Sequence, residues 1–302
     1  MTSTTTTTST RRSDTRPTAP QASAWSGVRQ RFSGVTLTAV ITWLAAICFV
    51  LILLSILVSV LVTSFATVWR GTWWPEGLTA HWYADALSTP GLLRSILTTF
   101  EVGFAVVALA LIAGVPTGYV LARKNFPGKS IVMLLMLLPV ILPTMTYAVQ
   151  LAAMMYRIGL GGSLLAVILV NLVPALPLVI LITIPFVEQI SPDVEHAAKV
   201  FGANNLQLFG RVLVPLLIPG IVAAGILCLV RVLGQFELTF FVANAKNQTL
   251  VVTIFGKLSD PGGVSASLTA AMSVFYMVIA LIGLVISLRF ANPAQALTRT
   301  GR

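Results

Sequence analysis

Six long apolar segments alternate with short polar segments along the chain. The apolar segments lie at about 35–66, 93–121, 131–156, 163–187, 216–241 and 266–290. Each of them exceeds the roughly 20 apolar residues with which an α-helix crosses a bilayer. The pattern therefore predicts an all-α integral membrane protein with six transmembrane helices.

Proline interrupts the third and fourth apolar segments. The third contains Pro139 and Pro143, and the fourth contains Pro174, Pro177 and Pro185. Because proline removes a backbone hydrogen bond and bends a helix, the freed carbonyl groups need partners in neighbouring helices or in a water-filled cavity. Bent helices around a cavity are typical of a transporter.

The polar segment between the fourth and fifth apolar segments has the signals of a short helix. Ser191 can serve as its N-cap, and Pro192 fits the first helical position. Asp193 places a negative charge near the positive end of the helix dipole, and Gly202 suits the end of a helix. These signals predict a helix over Pro192–Val200.

The apolar residues of this polar segment recur at the spacing of one helix face. Those of the predicted helix are Val194, Ala197, Ala198 and Phe201. A second amphipathic turn is expected from Asn204 to Val212, with Leu206, Phe209 and Leu213 on one side. Pattern alone fits a docking helix and a solvated loop between two membrane spans equally well.

Composition agrees with a membrane protein and excludes other classes. Of the 302 residues, 57% are hydrophobic and only 9% are charged, against roughly 25% charged in soluble domains. The net charge of +10 arises from basic residues scattered at the ends of apolar segments, so nucleic-acid binding is not expected. Cys48 and Cys228 both lie in apolar segments, so neither a disulfide framework nor a metal site is implied.

The distribution of Lys and Arg predicts the orientation in the membrane. Thirteen of them lie on one side of the predicted spans and five on the other, and the more positive side faces the cytoplasm. Both termini of this multi-pass protein are therefore expected in the cytoplasm. The expected domains are a disordered basic cytoplasmic tail at 1–33, a six-helix transmembrane domain at 34–290 with a cytoplasmic loop at 188–215, and a cytoplasmic tail at 291–302.

The polar segment also contains a motif with fixed spacing: two alanines, a glycine four residues after the second, and an aliphatic-x-aliphatic-Pro ending. The residues of the motif are Ala197, Ala198, Gly202, Val212, Val214 and Pro215. It resembles the cytoplasmic EAA loop of the permease subunits of ATP-binding-cassette (ABC) importers. One position departs from the family pattern: His196 occupies the place of the motif's glutamate, and Glu195 comes one residue earlier, about 100° away around a helix.

The resemblance extends over about residues 92–290 and implies the type I ABC importer permease fold in the cell inner membrane. It implies four partners: nucleotide-binding ATPase subunits, a second permease in a homo- or heterodimer, an external solute-binding protein and membrane lipid. The residues implied in coupling to the ATPase are Asp193, Val194, Glu195, His196, Ala197, Ala198, Lys199, Phe201, Gly202, Ala203 and Pro215. Of these, Glu195, His196 and Lys199 are expected to make polar contacts at the rim.

Polar residues inside the apolar segments indicate a route for a solute, because charges within a membrane are costly and usually paired or facing water. The candidates are Gln150, Asn171, Arg231, Gln235 and Glu237. The stretch 231–239 resembles the same region of permeases that handle polyamines, iron and phosphonates, so the solute is expected to be small and polar, for example cationic. The alternative is that these side chains hold helices together or bind the partner permease.

The chain contains no phosphate-binding loop and no set of catalytic side chains. It is therefore expected to be a transport subunit and not an enzyme, with no cofactor of its own and with ATP bound by a partner subunit. Glu101 is the expected counter-ion of Arg231. The competing hypothesis is a stand-alone secondary transporter or channel, in which Glu101, Arg231 and Glu237 form an ion or proton relay.

Overall fold

A computed structural model describes residues 37–69, 72, 74–259 and 265–290 of the chain. The predicted tails at 1–33 and 291–302 lie outside the described residues. Within those ranges the regular structure is helical, apart from one isolated β-bridge between Ala66 and Leu78.

Twelve α-helices and one π-helical turn follow one another in the described part of the chain. They are α1 (Leu37–Phe65), α2 (His81–Ser88), α3 (Leu92–Arg123), α4 (Lys129–Ile141), α5 (Thr144–Arg157), α6 (Leu164–Glu188), α7 (Pro192–Val200), α8 (Asn205–Gln207), the π-helical turn (Leu208–Leu213), α9 (Val214–Leu233), α10 (Glu237–Val242), α11 (Leu250–Leu258) and α12 (Ala266–Phe290).

The chain divides into two units, residues 1–56 and 57–302. In the first unit the described residues belong to α1, and every side chain from Val40 to Ile56 is exposed. Such an apolar helix suits a bilayer, whose lipid tails are as apolar as leucine. The second unit contains the end of α1 and the other helices.

Five described helical segments are long and apolar enough to cross a membrane: 39–65, 92–123, 164–188, 205–233 and 266–285. A sixth crossing exists if α4 and α5 together form one broken span, since the two helices are bent by 100° at a short break. The break contains Leu142 and Pro143, so proline interrupts the third predicted span as expected. Pro174, Pro177 and Pro185, in contrast, all lie inside the single helix α6.

The main core forms where α3, α6 and α9 pack together. Val106, Val167 and Ala224 are fully buried there. Gly114 and Gly118 of α3 face α6 so closely that a Cβ atom on Gly114 would lie 2.8 Å from Cγ1 of Val179. Small residues are the usual means by which transmembrane helices approach each other, because lipid provides no hydrophobic force between them.

A second core joins α2, α3, α11 and α12. Ala86, Leu250 and Met272 are fully buried in it. Hydrogen bonds between buried groups reinforce the contact of α3 with α11. The hydroxyls of Ser95 and Thr253 lie 2.6 Å apart, and the Leu250 N–H donates to Thr99 Oγ1 at 2.9 Å.

The fifth predicted span ends earlier than expected. Helix α9 stops at Leu233 and the short helix α10 starts at Glu237, although the hydrophobic pattern predicted one span to about residue 241. Gly234, a poor helix former, opens the break. The Gln235 side chain then donates a hydrogen bond to Glu237 at 2.9 Å across it. Helix α10 packs against α5 and α6 instead of extending α9.

The close approach of α3 and α6 gives a first prediction. Gly114→Ala should lower the free energy of unfolding by about 1–3 kcal/mol, because the added methyl overpacks against the stiff side chain of Val179. Gly256→Ala is the matched control, since a Cβ at Gly256 of α11 meets no atom within 4 Å. Thermal unfolding in detergent compares the two variants, and equal melting temperatures would contradict the packing role.

Candidate functional site

Helix α7 begins and ends at the residues that the local signals predicted. The Ser191 hydroxyl accepts a hydrogen bond from the Asp193 N–H at 3.2 Å, as an N-cap does. Pro192 occupies the first helical position, and Lys199 lies in the last turn, where a cation is favourable to the helix dipole. The predicted helix over Pro192–Val200 is confirmed.

Gly202 ends α7 in a left-handed conformation with φ of +83°. Its N–H donates to the Lys199 carbonyl at 2.9 Å, and the Ala203 N–H donates to the Ala198 carbonyl at 3.0 Å. These two bonds form a Schellman motif, which satisfies carbonyl groups at the helix end and favours glycine at this position. The helix is therefore closed at both ends by its own sequence.

Glu195 holds the inner side of α7 against α3. Its carboxylate accepts hydrogen bonds from Arg123 Nε at 2.6 Å and from the Tyr119 hydroxyl at 2.8 Å. Arg123 also donates to the Ile190 carbonyl just before α7. Only 15% of the Arg123 side chain and 11% of the Glu195 side chain are exposed, so water screens this pair less than it screens a surface salt bridge.

One sequence expectation about this side of the helix needs correction. Glu195 was expected at the exposed rim, but its side chain turns inward, while His196 and Lys199 are exposed as predicted. Its partners Arg123 and Tyr119 were not predicted. The available signal was topological: Arg123 belongs to the basic turn on the same side of the membrane as the loop at 188–215.

The outer side of α7 presents apolar side chains with nothing covering them. Val194 and Ala197 are exposed, Val200 is 85% exposed, and Phe201 is 91% exposed. Ala198, at the inner edge of this face, is half-buried and packs against the core. Aromatic rings are seldom left so open to water on a surface that binds nothing, so this outer apolar face indicates a partner.

After α7 the chain forms the short helix α8, whose N-terminus is capped by side chains. The Gln207 N–H donates to Asn204 Oδ1 at 2.8 Å, and the Asn204 N–H donates to Gln207 Oε1 at 3.0 Å. This reciprocal pair is a capping box. Helix α8, the π-helical turn and α9 then continue as one helical segment over residues 205–233.

The π-helical turn changes which residues share a face. Leu206, Phe209 and Leu213 were predicted on one side, but Leu206 is 81% exposed, whereas Leu208 and Leu213 are buried at 3% and 0% exposure. The prediction is correct for Phe209 and Leu213, which both pack in the core, and wrong for Leu206. A π-helix brings i and i+5 together, which aligns Leu208 with Leu213. Pro215, which has no N–H to donate, follows directly.

Asn171, Gln235 and Glu237 form hydrogen bonds within the described residues. Asn171 is buried and donates to the Val167 carbonyl at 2.8 Å and to Thr239 Oγ1 at 3.1 Å, which joins α6 to α10. This contact is the interhelical role that was the alternative for Asn171. Gln150 of α5 is exposed, and within the described residues it forms no hydrogen bond with Asn171, Gln235 or Glu237.

The two intramembrane charges predicted to pair do not do so. Both guanidinium NH₂ groups of Arg94 donate to the carboxylate of Glu101 at 3.2 Å, so Glu101 is not the counter-ion of Arg231. Within the described residues Arg231 has no hydrogen bond and no ion pair, and its Nε is buried without a partner. The proposed relay of Glu101, Arg231 and Glu237 is therefore not supported.

No group of three or more His, Cys, Asp or Glu residues that could hold a metal ion occurs in the part of the chain that the structure describes. The features that stand out are thus the outer apolar face of α7 and the polar residues around the break between α9 and α10.

Comparison with known proteins shows what the chain is similar to. The family described as "Binding-protein-dependent transport system inner membrane component" matches residues 114–292. The sulfoquinovosyl glycerol transport system permease protein SmoH of Agrobacterium fabrum is 33% identical over 61% of this chain and 65% of its own length. The sulfate transport system permease protein CysT of Salmonella typhimurium is 27% identical over 63% of this chain and 74% of its own.

Solved structures agree on the fold. A bacterial ABC transporter involved in the import of the acidic polysaccharide alginate matches with a TM-score of 0.65 at 16% identity, covering 88% of this chain and 96% of that one. The MetNI methionine ABC transporter in an inward-facing conformation matches with a TM-score of 0.52 at 20% identity, over 67% and 93% of the two chains.

The inward contact of α7 gives a second prediction. Glu195→Gln keeps the shape of the side chain but removes the charge that pairs with Arg123. We expect faster hydrogen exchange of the α7 amides, and a double-mutant cycle with Arg123→Gln should give a coupling energy of about 1–3 kcal/mol. His196→Gln, which changes an exposed polar side chain in the middle of the same helix, is the control and should leave exchange unchanged. Equal exchange in both variants would exclude the anchoring role.

Proposed function

The chain belongs to the family of binding-protein-dependent transport system inner membrane components, and from this premise we propose that it is the permease subunit of an ABC importer for a small polar solute. It is a multi-pass protein of the inner membrane and a transport subunit, not an enzyme. ATP is bound and hydrolysed by a separate subunit, and both termini of this chain lie in the cytoplasm.

The observation that carries the proposal is the outer apolar face of α7. The helix is closed at both ends by its own caps and tied to α3 by Glu195, so it is presented as a rigid body. Val194, Ala197 and Phe201 then offer an apolar surface to a nucleotide-binding ATPase, with His196 and Lys199 at its polar rim. Burying a phenylalanine of this exposure supplies about 1.5–3 kcal/mol of association free energy.

Coupling follows from what α7 is attached to. Closure of the ATPase subunits around ATP moves α7, and the Glu195–Arg123 pair passes this movement to α3. Helix α3 packs along α6 and α9, so the displacement reaches the broken segments α4–α5 and α9–α10. Rocking of these segments alternates between inward-open and outward-open states.

The other partners are a second permease subunit, identical or related, and an external solute-binding protein. Among the structural relatives, a bacterial alginate ABC transporter is seen in complex with an alginate pentasaccharide-bound periplasmic protein, with a TM-score of 0.67 at 14% identity. That likeness supports an arrangement of the same kind here.

The names of the relatives refer to several different classes of solute. Their names refer to sulfate, molybdenum and trehalose, and to spermidine and putrescine in the case of PotC of Haemophilus influenzae, which is 24% identical over 76% of this chain. Polyamines, iron and phosphonates, suggested by the sequence around Arg231, are therefore three of several possibilities.

Docking at α7 can be tested by co-purification. Tagged protein is extracted from its native membrane in mild detergent, and bound ATPase is quantified by mass spectrometry. Phe201→Ser should reduce the retained ATPase about tenfold or more, because an apolar contact of this size is lost. Leu258→Ser is the control: it removes an exposed apolar side chain at the end of α11 and should leave the amount of retained ATPase unchanged. Retention of the ATPase by the Phe201 variant would refute docking at this face.

A further prediction concerns the end of α7. Gly202→Val should abolish ATP-driven uptake while the protein remains in the membrane, because valine at this positive φ costs roughly 1–2 kcal/mol and unwinds the helix end. Gly128→Val is a matched control: Gly128 has φ of +87°, and a Cβ there also meets open space, but it lies outside the docking segment. Loss of uptake in both variants would contradict this prediction, because backbone strain outside the docking segment would then abolish uptake as well.

A further inference from the structure

Arg231 is a cation near the end of a candidate membrane span, and the described part of the chain offers it no counter-ion. It lies in the last turn of α9, within the helical segment 205–233. Charged side chains within membrane spans are costly, so such residues are usually paired or face an aqueous pathway. Position in the last turn recovers part of this cost through the helix dipole.

No described acidic side chain neutralises Arg231. Glu101 of the neighbouring helix α3 forms an ion pair with Arg94. Glu195 of α7 forms an ion pair with Arg123. Glu237 is the acid closest in sequence, but it forms no ion pair with Arg231 and accepts its hydrogen bond from Gln235. The only acidic residue of α6 is at its far end, residue 188.

The surroundings of Arg231 are those of a polar site that is closed in this conformation. Arg231, Gln235 and Asn171 line one narrow crevice between α6 and α9, together with Pro174 and Ala175, and it is too small to hold a water molecule. The Nε of Arg231 is buried there without an acceptor. A guanidinium carries five N–H donors and no acceptor, so what it lacks is an anion or another acceptor.

The backbone is also irregular next to Arg231, at the break between α9 and α10. Three residues, 234–236, separate α9 from α10. Irregular backbone within a membrane is tolerated where it is enclosed by protein or lines a water-filled cavity. In secondary transporters, which are a different class, solutes bind where membrane helices are interrupted in this way. Arg231 and Gln235 stand on either side of the first residue of this break, Gly234.

From this unpaired cation at a helix break, we propose that the transported solute is an anion and that Arg231 contacts it during translocation. The inference rests on the importer function proposed above and adds the charge of the solute. An oxyanion or a carboxylate satisfies the guanidinium in a bidentate manner, and the Gln235 amide can donate to it as the crevice opens. The neighbouring carboxylate of Glu237 accepts a hydrogen bond from the Gln235 amide.

The test is uptake by cells of the native host, with and without the gene for this chain, so that the complete transporter is present. The probes are radiolabelled sulfate, molybdate, phosphate and methylphosphonate as anions, spermidine as a cation and trehalose as a neutral solute. We expect gene-dependent uptake of at least one anion and of neither other probe. Failure of all four anions, or gene-dependent uptake of spermidine or trehalose, overturns the proposal.

The role of Arg231 is tested on the anion that is taken up. Arg231→Gln should reduce its uptake about tenfold or more, since a hydrogen bond to a charged group is worth about 1.5–3 kcal/mol, and Arg231→Lys should restore part of it. Arg157→Gln removes an exposed cation from the end of α5 and should have no effect. Full uptake by Arg231→Gln, or no recovery with lysine, contradicts direct contact.

Co-purification separates this inference from the importer function. An Arg231→Gln protein that reaches the membrane and still retains the ATPase, but does not take up the anion, agrees with both proposals. If wild-type protein retains no ATPase, the importer function fails, whatever the probes show.

Discussion

The ion pair between Glu195 and Arg123 is the contact on which the position of α7 in this permease depends. Helix α7 has only nine residues, and so short a helix is marginal in water without tertiary contacts. Its caps define its ends, but the carboxylate of Glu195, bonded to Arg123 and Tyr119, holds it in one place. Because the pair is largely shielded from water, it keeps the apolar side chains of α7 directed outward.

This anchor also explains how the sequence can depart from the family motif. The glutamate of the EAA pattern is replaced by His196, which is exposed, and the neighbouring Glu195 supplies a carboxylate that turns inward. A helix rotates by about 100° per residue, so the two positions face different surroundings. In this chain the acid at the earlier position serves to attach α7 to α3, and the outer face is left to apolar residues.

The membrane region follows a second constraint, which is that polar groups in lipid must find partners inside the protein. Most described polar side chains do so: Asn171 bonds Thr239, Ser95 lies against Thr253, and Arg94 pairs with Glu101. Among the described residues, the buried atoms without a hydrogen-bond partner are Thr98 Oγ1, Thr249 Oγ1 and Arg231 Nε, and of these three residues only Arg231 is charged. The break between α9 and α10 lies at 234–236, next to Arg231 in the sequence.

The sequence by itself determined the local elements. Apolar runs predicted the spans α1, α3, α6 and α12 closely, and Ser191, Pro192 and Gly202 predicted both ends of α7, because spans and caps depend on residues near each other in the chain. Tertiary structure alone decided the pairing of Glu195 with Arg123 and of Glu101 with Arg94, the isolation of Arg231, and the turn of Leu208 into the core. These depend on the rotation of each helix against its neighbours, and a π-helical turn or a break shifts that rotation without a clear mark in the hydrophobic pattern.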